Sequence, residues 1–80
     1  MIKTNDLKKG TRIQLSNGYL ATLMDNLKGN TRMADVEGDF REIGSIYSHN
    51  IVRAMVDGSW DLVEHTKPQI KLKQQVEMMF

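Results

Sequence analysis

The sequence has 80 residues and contains no cysteine, one proline and few aromatic residues: one tryptophan, two tyrosines and two phenylalanines. Without cysteine, the chain can form neither a disulfide bond nor a thiolate zinc site. No apolar run approaches the ~20 residues that a membrane helix needs, and the N-terminal stretch lacks the apolar segment of a secretory signal. We therefore expect one small domain over residues 1–80, in the cytoplasm and without a membrane partner.

The net charge is also close to zero: eleven basic and ten acidic side chains leave +1. The distribution is uneven: residues 1–32 carry six basic and two acidic side chains, whereas residues 33–66 carry two basic and seven acidic ones. A dedicated DNA-binding domain usually has a clear basic excess, which this chain lacks. If nucleic acid is nevertheless the ligand, its expected footprint consists of Lys8, Lys9, Arg12, Lys28 and Arg32.

Short strands separated by turn residues fill residues 7–64. The dipeptides Asn17-Gly18 and Asp57-Gly58 predict tight hairpins, and Gly44 predicts either a bulge inside a strand or a close approach of another backbone segment. Five or six such strands predict a mainly β protein, in which the sheet closes into a small barrel and so leaves no exposed edge. A barrel this thin needs aromatic side chains in its core, and we assign Phe40 and Trp60 to it.

Residues 66–80 change from strand to helix periodicity. An apolar stripe recurs at Leu72, Val76, Met79 and Phe80, and the pair Thr66 and Gln69 forms a capping-box pattern. Pro68 falls in the first turn, where its missing N–H costs nothing. We expect a C-terminal helix whose stripe packs across the barrel, which is the favoured reading, or against a second copy, which would give a homo-oligomer.

The stretch EIGSIYSHNI, residues 42–51, holds the residue types that serve catalysis, partner binding or a tight turn. Ser48 and His49 are sequence neighbours, so their side chains diverge and do not form a nucleophile–base pair. His49 and His65, without cysteine, make a poor zinc site. We therefore expect no enzyme, metal or cofactor here, but a turn that closes the barrel and exposes Tyr47 and His49.

Two resemblances add to this interpretation. The opening KKGTRIQL, the hairpins that follow and the stretch YSHNI before a late strand resemble the layout of SH3-like barrels of the KOW type, over residues 7–64. That resemblance implies a single helical turn at YSHNI. The stretches LKKGTRIQLSNG, KGNTRMADVEG, EIGSIYSHNI and VEHTKPQIKLK resemble those of a family of short tailed-phage proteins, which implies a phage protein in the bacterial host cytoplasm but brings no activity with it.

Two functions from different classes follow. The first is a non-catalytic accessory protein that binds a host or phage protein, with inhibition of a host or defence complex as its expected role. The alternative is a small nucleic-acid-binding barrel that uses the basic residues named above together with stacking aromatics. In either function, Tyr19, Tyr47 and His49 are the expected contacts outside the basic set.

Overall fold

A computed structural model describes residues 1–79 as one seven-stranded sheet with a C-terminal helix. The strands are β1 (Ile2–Lys3), β2 (Arg12–Leu15), β3 (Leu20–Leu23), β4 (Thr31–Glu37), β5 (Arg41–Tyr47), β6 (Ile51–Val56) and β7 (Ser59–Glu64); the helix α1 spans Lys67–Met78. Single 3₁₀ turns occupy Thr4–Asp6 and Ser48–Asn50. The mainly β class with a C-terminal helix is confirmed, with one or two strands more than expected because β1 is too short to show a pattern.

The sheet has the order β1-β7-β6-β2-β3-β4-β5. Strands β2 to β5 form an antiparallel meander, β6 returns to pair with β2, and β1 pairs in parallel with β7. In the described part of the chain, β1 and β5 are unpaired on their outer sides, so the predicted closure of the barrel is wrong. The two edge strands differ in length: β1 has two residues and β5 has seven, and they do not pair with each other.

The hairpin turns form where the sequence predicts them. Asp57 and Gly58 both have positive φ, 49° and 81°, in the two-residue turn between β6 and β7. Asp is among the few residues that tolerate this conformation, and Gly adopts it freely. The bulge predicted at Gly44 is wrong, because Gly44 pairs with Ala34 in an uninterrupted register; the irregularity lies between Gln14 and Leu15.

The core lies on the inner face of the sheet, and alternate residues are buried in β2, in β3 and in the first half of β4. Its fully buried members are small or branched: Ile13, Ala21, Leu23, Ala34, Ile51 and Ala54. The prediction that Phe40 and Trp60 belong to the core is wrong, because their side chains are 79% and 42% exposed. Trp60 shares the outward phase of β7 with Leu62, and Phe40 lies in the turn beyond the last residue pair of β4 and β5.

The start of helix α1 is fixed as the capping pattern predicts. The Gln69 amide donates to Thr66 Oγ1, and the Thr66 amide donates to Gln69 Oε1. The fully buried Gln69 also donates from Nε2 to Asn5 Oδ1 (3.1 Å) and to the Gly29 carbonyl (2.7 Å). One side chain therefore ties the helix to the N-terminal 3₁₀ turn and to the β3–β4 loop.

Beyond this anchor the helix lies against the second 3₁₀ turn. Leu72 and Val76 are half-buried, in keeping with the predicted stripe. Met79 is 78% exposed, so its predicted burial is wrong. The last predicted member of the stripe, Phe80, lies outside the described residues.

Candidate functional site

The stretch YSHN forms the predicted turn. Tyr47 ends β5 in an extended conformation, and a 3₁₀ turn over Ser48–Asn50 leads into β6. The buried Ser48 hydroxyl donates to the Gly29 carbonyl at 2.6 Å, and the Ser48 amide donates to the Asn30 carbonyl at 2.9 Å. The hydroxyl and the amide of Ser48 therefore hold the turn against the β3–β4 loop.

The Tyr47 ring, exposed as expected, stacks on the His49 imidazole. His49 itself is only 5% exposed, so its predicted exposure to a partner is wrong: helix α1 covers the turn that carries it. Burial is the main cause that lowers the His49 pKa, with smaller contributions from His65 and Lys73 that outweigh the opposite effect of Glu77. Among the described residues, His49 Nδ1 has no hydrogen-bond partner.

Arg32 is not part of an exposed basic surface. Its phase on β4 directs it to the inner face, opposite Ile46, and its side chain is 1% exposed. The guanidinium donates from Nε to Asp25 Oδ1 (2.7 Å) and from Nη2 to the carbonyls of Asp25 (2.7 Å) and Leu7 (3.0 Å). Burial alone would raise the Asp25 pKa, but hydrogen bonds from Arg32 and from the backbone outweigh it and lower that pKa. Arg32 is a core residue.

The four other predicted basic residues are divided between two places. Arg12, half-buried on β2, donates to Glu37 and to Thr22 Oγ1. Lys8, Lys9 and Lys28 are exposed. Their two loops are joined by a hydrogen bond of 2.7 Å from the Lys9 amide to Asn26 Oδ1. The structure thus brings together three of the five basic residues.

A groove of two adjoining recesses runs along β5 on the inner face of the sheet, with volumes of about 290 and 520 Å³. We call this the β5 groove. The recesses share Val36, Ser45 and Ile46. The first is also lined by Tyr19, Gly38, Asp39, Phe40, Glu42 and Gly44, and the second by Leu15, Asn17, Thr31, Tyr47 and Asn50. Tyr19 and Tyr47 therefore line one continuous groove, from opposite ends.

The charge of the β5 groove is entirely negative, because its only charged lining residues are Asp39 and Glu42. In the described part of the chain neither carboxylate takes part in an ion pair or a side-chain hydrogen bond. The nearby Asp35, by contrast, accepts hydrogen bonds from Arg41, which lower the pKa of Asp35 and raise that of Arg41.

Strand β5 presents unpaired backbone groups along the groove. The bond from the Ser48 amide to the Asn30 carbonyl continues the register in which Tyr47 opposes Thr31. Because bonded and non-bonded pairs alternate in an antiparallel ladder, the even-numbered residues of β5 bond to β4. The N–H and C=O groups of Arg41, Ile43 and Ser45 consequently point to the free edge.

One glycine shapes the groove wall. A Cβ at Gly38 would lie 2.6 Å from a ring carbon of Tyr19, so only glycine lets that ring rest on the β4–β5 turn. Sequence reasoning missed the groove residues Asp39, Phe40 and Glu42. The sequence does contain a pattern that could have identified them. In the stretch EGDFRE, Phe40 lies among acidic residues in a turn, and such a position is unfavourable for a core side chain.

Comparisons with protein-family models, with curated proteins and with solved structures gave no match for this chain. Across residues 1–79, no helix is long and apolar enough to cross a membrane. In the same residues, no group of three or more His, Cys, Asp or Glu side chains is placed to hold a metal ion.

Proposed function

We propose that this chain is a non-catalytic binding protein whose β5 groove receives a segment of another protein. The observation that carries the proposal is the coincidence of a free strand edge with an aromatic-lined groove. An extended segment can bond to the free N–H and C=O groups of an edge strand while its side chains fill neighbouring pockets. Arg41, Ile43 and Ser45 offer those backbone groups.

The exposure of Phe40 supports the same function. Large apolar side chains at a groove rim gain free energy when a partner covers them, at roughly 25 cal/mol per Å² of apolar surface. Phe40, 79% exposed, stands at the rim with no role in the core. Natural edge strands are usually shielded by charge, by proline or by a short length. Strand β5 has seven residues and no proline, carries charge only at its first two residues, Arg41 and Glu42, and exposes Ile43.

The biological setting is part of this proposal. The partner would be a host or phage protein in the bacterial cytoplasm, and the chain would act as a phage-type accessory protein that inhibits a host or defence complex. What supports this setting is the resemblance of four stretches to short tailed-phage proteins. Self-association through the exposed Met78 and Met79 at the end of α1 remains a further proposal.

Capture from a bacterial lysate, with and without nuclease, tests the function. We expect a protein retained by the immobilised chain after nuclease treatment and lost with Phe40→Ala. Leu62→Ala is the matched control, because Leu62 is an exposed apolar residue on the outer face of β7. Retention that nuclease abolishes, or that Phe40→Ala leaves unchanged, would contradict the proposal.

A nucleic-acid-binding module is the second candidate, and the adjacency of Lys8, Lys9 and Lys28 favours it. Three cations give a weak electrostatic attraction that falls steeply with salt. A gel shift at low ionic strength decides: a shift that is lost when all three lysines are changed to glutamine supports this function. Absence of any shift eliminates it.

A further inference from the structure

We infer that the occupant of the β5 groove is a cationic extended segment, with a basic residue and a large apolar residue four positions apart. The inference rests on the proposed function, since it names the chemistry of the segment that this same groove receives. The charge of the groove, the phase of β5 and the shape of its floor each support it.

The charge argument begins with the acidic residues around the β4–β5 turn. Asp35 forms an ion pair with Arg41, and Glu37 forms one with Arg12, so these two carboxylates are already neutralised within the chain. Asp39 and Glu42 line the groove and have no such partner in the described residues. A lysine or arginine of the incoming segment would complete these pairs, whereas a phosphate backbone or an acidic segment would be repelled.

The alternation of side chains along β5 sets the spacing between the basic and the apolar residue of the bound segment. Glu42, Gly44 and Ile46 alternate along β5 with the residues whose backbone groups point to the free edge. All three line the groove. Side chains of a strand paired to this edge alternate in the same way, so every second one lies over the groove. The residue level with Glu42 and the residue level with Ile46 are therefore four positions apart in the bound segment.

The floor of the groove defines what fits at each level. The recess around Ile46 is the larger one, about 520 Å³, and its lining includes Leu15 and Val36, so it accepts a large apolar side chain. At the middle level, a Cβ on Gly44 would meet no atom within 4 Å. That gap leaves room for the segment's central side chain, whose identity is unrestricted.

A bead-bound library of random nonapeptides, selected against the intact protein, tests the inference. We expect enriched sequences with Lys or Arg four positions from a large apolar residue, in either order. For the best peptide, Asp39→Asn combined with Glu42→Gln should weaken binding by about tenfold, the scale of two exposed charge pairs. Glu64→Gln is the matched control: its carboxylate is exposed on β7, which four strands separate from β5 in the sheet, and it should leave binding unchanged.

A charge exchange sharpens this test. Glu42→Lys should reject the basic peptide and bind a version in which glutamate replaces the basic residue. Peptides that depend on Phe40 but contain no basic residue would overturn the inference and leave the proposed function standing. Peptides whose binding is unchanged by Phe40→Ala, or a selection with no enrichment, would overturn both the inference and the proposed function. Dimerisation of the free protein that Phe40→Ala abolishes would make a second copy the occupant and would also overturn the inference.

Discussion

The Tyr47 ring lies parallel to the His49 imidazole, with centroids 4.9 Å apart and an interplanar angle of 12°. Tyr47 is at the groove surface, while His49 is buried beneath helix α1. The stack therefore connects the wall of the groove to the packing of the helix.

We predict that this histidine makes stability depend on pH. Its folded-state pKa lies below the ordinary value of about 6.5, so the unfolded state binds the proton more readily. The stability that neutral His49 provides is complete above about pH 6.5 and is lost as the pH falls through the folded-state pKa. Thermal melts between about pH 7 and 5 should show a decreasing Tm in the native chain.

The variant His49→Phe keeps a ring in the stack and removes the titration. Its Tm should fall less than that of the native chain over the same pH range. An equal fall in both proteins would mean that other groups cause the pH dependence.

His49→Ala should destabilise the protein by about 1–3 kcal/mol, more than an ordinary surface substitution, because the side chain is buried.

The Asp25–Arg32 pair should contribute much more to stability than the Arg12–Glu37 pair, which is more accessible to water. Asp25→Ala leaves a buried guanidinium without its carboxylate, which we expect to cost about 3 kcal/mol in urea unfolding. Glu37→Ala should cost less than about 1 kcal/mol, because the Arg12 and Glu37 side chains are 39% and 41% exposed and water screens their attraction. Similar losses for the two variants would show that Arg32 is not held as described.

Gln69 should be the main anchor of helix α1. Gln69→Ala removes its part of the capping box and its bonds to Asn5 and Gly29, and we expect a loss of about 2–3 kcal/mol. Gln74→Ala is the control, since Gln74 is exposed on the same helix and should change stability by less than about 0.5 kcal/mol. Equal melting curves for the two variants would mean that the helix is not docked through Gln69.

The two glycines of the groove should respond oppositely to alanine. Gly38→Ala forces the Tyr19 ring away from the turn, so it should destabilise the protein by about 1–3 kcal/mol and change the near-ultraviolet circular dichroism. Gly44→Ala meets open space and relieves the entropic cost of glycine in a strand, so it should stabilise by about 0.5–1 kcal/mol. An unaltered Tyr19 signal in Gly38→Ala would contradict the close contact.

Sequence reasoning succeeded where neighbouring residues determine the structure. The Asp57-Gly58 turn, the Thr66 cap and the 3₁₀ turn at Ser48 depend on residues a few positions apart, and all formed as predicted. The burial of Arg32 was missed because its partners, Asp25 and the Leu7 carbonyl, converge only after folding. A basic residue in a strand is far more often exposed.

The site was predictable only in part, for the same reason. The sequence predicts Tyr19 and Tyr47 as surface contacts, with Phe40 and Trp60 as the core aromatics, and both tyrosines line the groove. His49 depends on where α1 docks, a contact between segments that the sequence does not link. The groove depends on the free edge of β5, and we had expected a barrel in which closure removes that edge.

Hydrogen exchange at the amides of Arg41, Ile43 and Ser45 tests the central claim most directly. In the free protein these amides point away from β4 and should exchange quickly, whereas the even-numbered amides of β5 are bonded to β4 and should exchange slowly. Binding of the protein captured from nuclease-treated lysate should slow exchange at the amides of Arg41, Ile43 and Ser45 and leave exchange in the loops that carry Lys8 and Lys28 unchanged. Protection confined to those loops, with the β5 edge still exchanging quickly, would contradict the account.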